Sequence, residues 1–280
     1  MKYKLVIFFS FLCFLHANEF HIITLEHFPN VGMFASANQV LGQLYLFDSG
    51  KMAGLSIHFE KNGLYYDPSL GPNWWSYYFE PICLGEKRGA NRVYPTRDHY
   101  LQVWAQRALL PRATAAYLVK KYIHINLDIQ KKIDTFVAQY FHDYMIGIHY
   151  RGTDKGNEAP RISYETVFEE IEKHIPQEKP YSLFVATDEL AFLEQARKRY
   201  PTHVIALDAH RSLSSGLGVH VVNKNHYLIG EEALMDACLL SKCDLLIRTS
   251  SNLSLWSTYF NPDLPVILLN QRYRKTLEPE

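Results

Sequence analysis

Apolar and polar positions alternate with two periods along this chain. In the second half, Met145–Tyr150, Tyr181–Ala186, Val204–Leu207, Asp244–Ile247 and Pro265–Leu269 are short, mostly apolar runs that predict strands. Between them, apolar residues recur at helical spacing. Tyr164, Val167, Phe168, Ile171 and Ile175 form one such face, and Leu190, Leu193, Ala196 and Tyr200 another. Glu231–Ser241 and Asn252–Tyr259 complete the helices, and a Gly/Ser-rich loop spans Ser212–Gly218. Continuous apolar strands separated by helices imply a parallel sheet covered on both faces. The first half begins the same way. Phe20–Leu25 and Leu55–Phe59 predict strands around a helix at Ser36–Phe47. An aromatic segment, Tyr65–Pro81, follows, and further helices are expected over 98–109, 112–123 and 128–142. The expected fold is α/β, with two Rossmann-like lobes facing a cleft. Residues 18–140 form the first lobe and 141–280 the second, and the charged helix near Lys131–Tyr140 bridges them.

Composition narrows the class. Of 280 residues, 48% are hydrophobic and 21% charged, which marks a folded globular chain rather than a disordered one. Formal net charge is +0, and no basic stripe argues for nucleic acid. Aromatics reach 14%, a proportion compatible with carbohydrate binding without establishing it. Lys2 and Lys4 followed by the apolar run Leu5–Leu15, with Ala17 before Asn18, read as a secretory signal over 1–17. That run is shorter than the ~20 residues a transmembrane helix needs, so no stable span is expected. Beyond Cys13, the three cysteines Cys83, Cys238 and Cys243 do not make a disulfide framework. The last two lie in an apolar helical pattern, as buried free thiols do.

The chemistry concentrates in Ile146–Ala159, IGIHYRGTDKGNEA. A strand ends at Tyr150, and His149, Arg151, Thr153, Asp154 and Lys155 cluster at its carboxyl end, where open parallel sheets bind ligands. An arginine there, beside hydroxyl and imidazole donors, suits a diphosphate. A sugar transferase must stabilise a departing nucleoside diphosphate and remove a proton from the acceptor hydroxyl. This stretch offers cations for the first task and Glu158 for the second, with no metal. A strand-end salt bridge between Arg151 and Asp154 accounts for the same spacing equally well.

His149–Lys155 resembles the H-x-R-x-T-D-K signature of the α1,6-fucosyltransferases and the related nodulation fucosyltransferases. The likeness continues in order. It runs through Ala186-Thr187-Asp188-Glu189, Ser215-Gly216-Leu217, Leu234-Met235-Asp236 with Ser241 and Asp244, and Ser250-Ser251-Asn252. It covers roughly residues 145–260. The resemblance implies a GT-B type fold and an inverting, metal-independent transfer of fucose from GDP-fucose to a glycan hydroxyl, with no cofactor besides that donor. It implies that Arg151 binds the β-phosphate with His149 in support, and that Asp154 and Lys155 organise the loop. Glu158 would be the general base, with Asp188 near donor and acceptor. Asp236 would meet guanine. Ser250, Ser251 and Asn252 would hold phosphate oxygens at a helix start. The first lobe would then be the acceptor side and the second the GDP-sugar side.

Three positions depart from that pattern. Gly152 stands where a second arginine is common, Glu189 replaces the second aspartate of A-T-D-D, and the spacer before Glu158 is one residue shorter than in the α1,6 enzymes. Asp188 is therefore the alternative base. A catalytically silent glycan- or nucleotide-binding relative and a transferase using another GDP-sugar remain as alternatives. The leader would deliver the protein to a secretory lumen, or outside the cytosol of a bacterium.

Overall fold

A computed structural model describes residues 20–24, 31–59, 63–85, 91–94, 110–152, 159–212 and 225–271. The leader over 1–17, with Cys13, lies outside these residues, as do the helix expected over 98–109 and most of the Ser212–Gly218 loop. Two compact units emerge, Met1–Leu110 with Tyr117–His124, and Pro111–Ala116 with Ile125–Glu280.

The first unit holds a four-stranded sheet in the order β3-β2-β1-β4. Its strands are β1 (Phe20–Ile23), β2 (Gly54–Ile57), β3 (Cys83–Gly85) and β4 (Asn91–Tyr94). β1 runs parallel to β2 and β4, and β3 closes one edge antiparallel. Helix α1 (Met33–Asp48) packs on β2 and buries Met33, Phe34, Val40, Leu41 and Leu44. The aromatic segment, centred on the short helix α2 (Trp75–Tyr78), is core. Trp74, Trp75, Tyr78 and Phe79 are fully buried. Trp75 stacks on Phe79 at 4.4 Å, and Trp74 meets Phe59 and Tyr65. Asn73 locks this bend, because its Oδ1 accepts from the Phe59 and Trp75 N–H groups while its Nδ2 donates to Ile57 O. These rings are spent on one another, so the high aromatic content is explained here by packing rather than by sugar stacking.

The second unit carries an all-parallel five-stranded sheet in the order β7-β6-β5-β8-β9. The strands are β5 (Tyr144–Tyr150), β6 (Tyr181–Thr187), β7 (Val204–Ile205), β8 (Leu245–Arg248) and β9 (Val266–Leu268). Helices α5 (Tyr164–His174) and α6 (Leu190–Arg199) contribute Val167, Phe168, Ile171, Phe192, Leu193 and Ala196 to a core with Ile146, Ile148, Tyr150, Leu183, Val185 and Ile247. Phe192 stacks on Tyr150 at 4.4 Å and on Phe168 at 5.5 Å. Helix α7 (His226–Leu240) packs on β5 and β6 and against α8 (Asn252–Phe260). Its end approaches β5 closely at Gly147, where an added Cβ would lie 3.1 Å from Leu240 Cδ2 and 3.0 Å from Sγ of Cys243, just past the helix. Cys238 and Cys243 are free, buried thiols.

Two boundaries differ from the sequence reading. Helix α7 starts at His226 rather than 231, because the Asn225 side chain caps it by accepting from Leu228 N–H. The chain also divides near residue 110 rather than at 140. Helix α4 (Leu127–Tyr140) buries Ile129 and Ile133, sets Phe136 against Phe184 of β6, and pairs Lys132 with the buried Glu231 of α7 at 2.6 Å. It is thus a layer of the second unit, not a bridge. Helix α3 (Arg112–Tyr122) is shared instead. Its Arg112 donates to Thr258, Asn261 and Leu264 carbonyls at the end of α8, where a cation also suits the helix dipole. Its last turn binds Asp48 through Lys121 and Tyr122, each at 2.7 Å.

Candidate active site

In the order β7-β6-β5-β8-β9 the chain progresses outward in one direction from β5, then returns to build β8 and β9 on the other side. The switch point therefore lies between β5 and β8, and parallel sheets bind ligands at the carboxyl edge of such a point. Residues 149–152 leave β5 there, and 249–252 leave β8. Thr249 stitches the two. Its Oγ1 accepts from Arg151 N–H at 2.9 Å, and its own N–H donates to His149 O at 3.0 Å.

Asp188, one residue beyond β6, holds this turn from the other flank. Its carboxylate takes Arg151 Nε at 3.1 Å and Gly152 N–H at 3.2 Å, and only 8% of its side chain is exposed. Asp188 thus fixes the direction of the Arg151 guanidinium. The next residue, Glu189, is buried and receives Arg161 Nη2 at 2.9 and 3.0 Å and the Tyr164 hydroxyl at 2.6 Å. The two sequence departures, Gly152 and Glu189, meet here, since a Cβ built on Gly152 would lie 2.5 Å from the Glu189 carboxyl carbon.

His149 is buried, and burial together with the Arg151 and Arg248 charges lowers its pKa to about 3. The imidazole is neutral at physiological pH, so its support for an anion is a hydrogen bond or dipole, not a charge. Its Nδ1 has no hydrogen-bond partner among the described residues. Arg248, paired in register with His149, is buried under the 249–252 turn and donates to Ser251 O and Ser254 Oγ. A buried cation beneath a helix start reinforces the positive end of the α8 dipole.

Ser251 is the N-cap of α8, its Oγ accepting from Leu253 N–H, and Asn252 opens the helix. Ser250 N–H is held by Asn270 Oδ1 at 2.7 Å, while Asn270 Nδ2 donates to Pro160 O at 2.7 Å. Asn270 thereby ties the 249–252 turn to the chain at Pro160. Of the motif's other polar residues, Ser241 and Asp244 are structural. Ser241 Oγ bonds Cys238 O, and Asp244 brackets Met145 at the opposite end of β5.

Asp236 sits on α7, with Arg211 and Glu232 as charged neighbours. Burial raises its pKa to about 7, opposed by Arg211, and its Oδ1 is buried with no partner among the described residues. Arg211 is pinned by the Leu207 and Ala209 carbonyls and lines a groove of about 450 Å³ with Leu190, Leu193 and Asp208. The structure therefore brings His149, Arg151, Asp188, Ser250, Ser251 and Asn252 to one sheet edge, with Asp236 beside Arg211. Asp154, Lys155 and Glu158 lie outside the described residues. Sequence reasoning did not find Arg161, Arg211, Arg248, Thr249 or Asn270. Arg248 carried a signal, a lone cation ending an apolar strand, while Asn270 and Arg161 are distant in sequence from what they hold.

A family model of the alpha-(1,6)-fucosyltransferase N- and catalytic domains matches residues 112–254, just over half of the chain. The chain belongs to this family. As an alpha-(1,6)-fucosyltransferase family member, it carries within that stretch every described site residue named above except Asn270. Its fold agrees. NodZ alpha-1,6-fucosyltransferase co-crystallised with GDP has a TM-score of 0.60 at 15% identity, covering 90% of this chain and 97% of that one. NodZ soaked with GDP-fucose gives 0.60 at 16% identity, covering 90% and 98%. Fucosyltransferase NodZ from Bradyrhizobium gives 0.56 at 16%, again covering 90% and 98%. At such identities the likeness is one of fold, the two-unit α/β plan of the GT-B type.

Proposed function

We propose that this family member is an inverting glycosyltransferase that moves fucose from GDP-fucose to a glycan hydroxyl without a metal. The observation that carries the reading is the Arg151–Asp188 pair set beside the α8 helix start at the switch point of a parallel sheet. NodZ, which has this fold, has been co-crystallised with GDP and soaked with GDP-fucose.

In this reading an acceptor oxygen attacks C1 of the sugar, and the bond from C1 to the β-phosphate oxygen breaks. The electron pair leaves with GDP. Arg151, the N–H groups opening α8 and the buried Arg248 offset the growing phosphate charge. Asp188 orients Arg151 by holding its Nε. That engagement leaves Glu158 as the preferred proton acceptor, with Asp188 second. Asp236 accepts from guanine N1 and N2, and Arg211 borders the same region. The leader over 1–17 would direct the protein to a secretory lumen or out of a bacterial cytosol.

The test is transfer from GDP-fucose to a panel of glycans, with GDP-mannose in parallel and EDTA added throughout. Fucose transfer that survives chelation is expected. GDP binding without turnover on any acceptor would favour the silent relative, and preference for GDP-mannose would change the donor.

A further inference from the structure

We propose that Glu189 is a positioning residue that sets the aim of Arg151 through Gly152, with Arg161 and Tyr164 as its mount. The inference rests on Arg151 being the β-phosphate contact. The backbone at 152 is caught between two adjacent carboxylates. Asp188 Oδ1 takes the Gly152 N–H, and the Glu189 carboxyl lies where a side chain at 152 would begin, with the Tyr150 ring 2.6 Å from the same point. Only a glycine leaves Glu189 that space. The carboxylate is in turn fixed on its far side. Arg161 Nη2 reaches both oxygens, Tyr164 adds a hydrogen bond at 2.6 Å, and Glu189 N–H donates to Thr187 Oγ1.

A carboxylate with a side chain 5% exposed does not stay in place without its cation, because an unpaired buried charge is strongly unfavourable. Removing Arg161 lets Glu189 swing toward water or toward another cation. The constraint on Gly152 then goes, and with it the geometry in which Asp188 holds Arg151 Nε. Arg161 and Glu189 therefore act through Arg151 rather than on the ligand.

The experiment measures GDP and GMP affinities by calorimetry, and melting midpoints, for the full chain and its variants. Arg161→Ala and Glu189→Gln are expected to weaken GDP about tenfold more than GMP. Arg161→Lys should recover part of that loss, because it keeps the charge but not the planar guanidinium. In an Arg151→Ala background, Arg161→Ala should change the GDP:GMP ratio no further. Gly152→Ala should lower both the melting midpoint and GDP affinity, and Glu189→Asp in the same chain, one methylene shorter, should restore part of both, because the Tyr150 ring still crowds the added methyl. Equal weakening of GDP and GMP, or an undiminished effect of Arg161→Ala without Arg151, overturns the proposal. So does a Gly152→Ala defect indifferent to Glu189→Asp. If the unaltered protein binds neither nucleotide, it is the proposed function that fails. The melting arm then decides the contact itself, with suppression of Gly152→Ala upholding it and no suppression refuting it.

Discussion

At the residue scale, two buried titratable groups with pKa values shifted in opposite directions both make the protein sensitive to falling pH. His149 is pushed to about 3 in the fold, against an ordinary value of 6.5. Between those values the unfolded chain carries a proton that the folded one does not, so stability falls as pH drops from about 6.5 toward 3. The slope approaches about 1.4 kcal/mol per pH unit. Urea unfolding at pH 7, 6 and 5 should show this slope, and His149→Gln should flatten it. A slope identical in the variant would mean that His149 is not held neutral. Asp236 is shifted up to about 7. In the proposed guanine contact it must be ionised, so GDP binding would expel its proton at lower pH. Affinity should therefore fall as pH drops below 7, by up to about tenfold per unit, since one proton is linked to binding. Asp236→Asn should abolish that dependence and narrow the preference for GDP over ADP. Arg151→Ala should weaken GDP by about 1.5–3 kcal/mol, the usual worth of a charged hydrogen bond, while sparing GMP. Equal losses on both ligands would place Arg151 away from the β-phosphate.

At the element scale, the proposed donor site is a meeting of two strand ends and one helix start. Thr249 joins the strands, and Ser251 caps the helix. Capping and anion binding can be separated there. Ser251→Ala should lower stability by about 1 kcal/mol through loss of the N-cap. Ser251→Asp keeps a side-chain acceptor and should retain that stability, yet its charge would face the phosphates of GDP in the proposed site. GDP affinity should therefore drop far more in the aspartate variant than in the alanine variant. Comparable affinities in the two would remove the α8 start from the phosphate site. These elements were mostly visible in the sequence, because a buried parallel strand is a short apolar run and its helix shows a 3.6-residue face. The start of α7 was not. His226–Gly230 has no polar periodicity, and its cap, Asn225, is recognisable only once the helix is seen.

For the whole molecule, the compact unit that carries the proposed GDP site is 111–116 with 125–280 rather than 141–280. Helix α4 supplies Ile129, Ile133 and the Lys132–Glu231 pair, and Arg112 closes the end of α8 on three carbonyls. A fragment beginning at Pro111 should fold and bind GDP, whereas one beginning at 141 should be unfolded by circular dichroism. A cooperative melt from the shorter fragment would show α4 to be dispensable. By itself the sequence determined the α/β class, the strand after which the ligand chemistry gathers, and the family motifs. Each of these is written in residues adjacent along the chain, through periodicity or strand-end clustering. Only tertiary structure decided the strand order that makes β5 and β8 neighbours and that α4 belongs to the second unit. It also decided that the aromatic segment is core, and that Arg161, Arg248 and Asn270 brace residues up to 110 positions away in the case of Asn270 and Pro160. Such contacts depend on which elements pack side by side, and no local pattern encodes that.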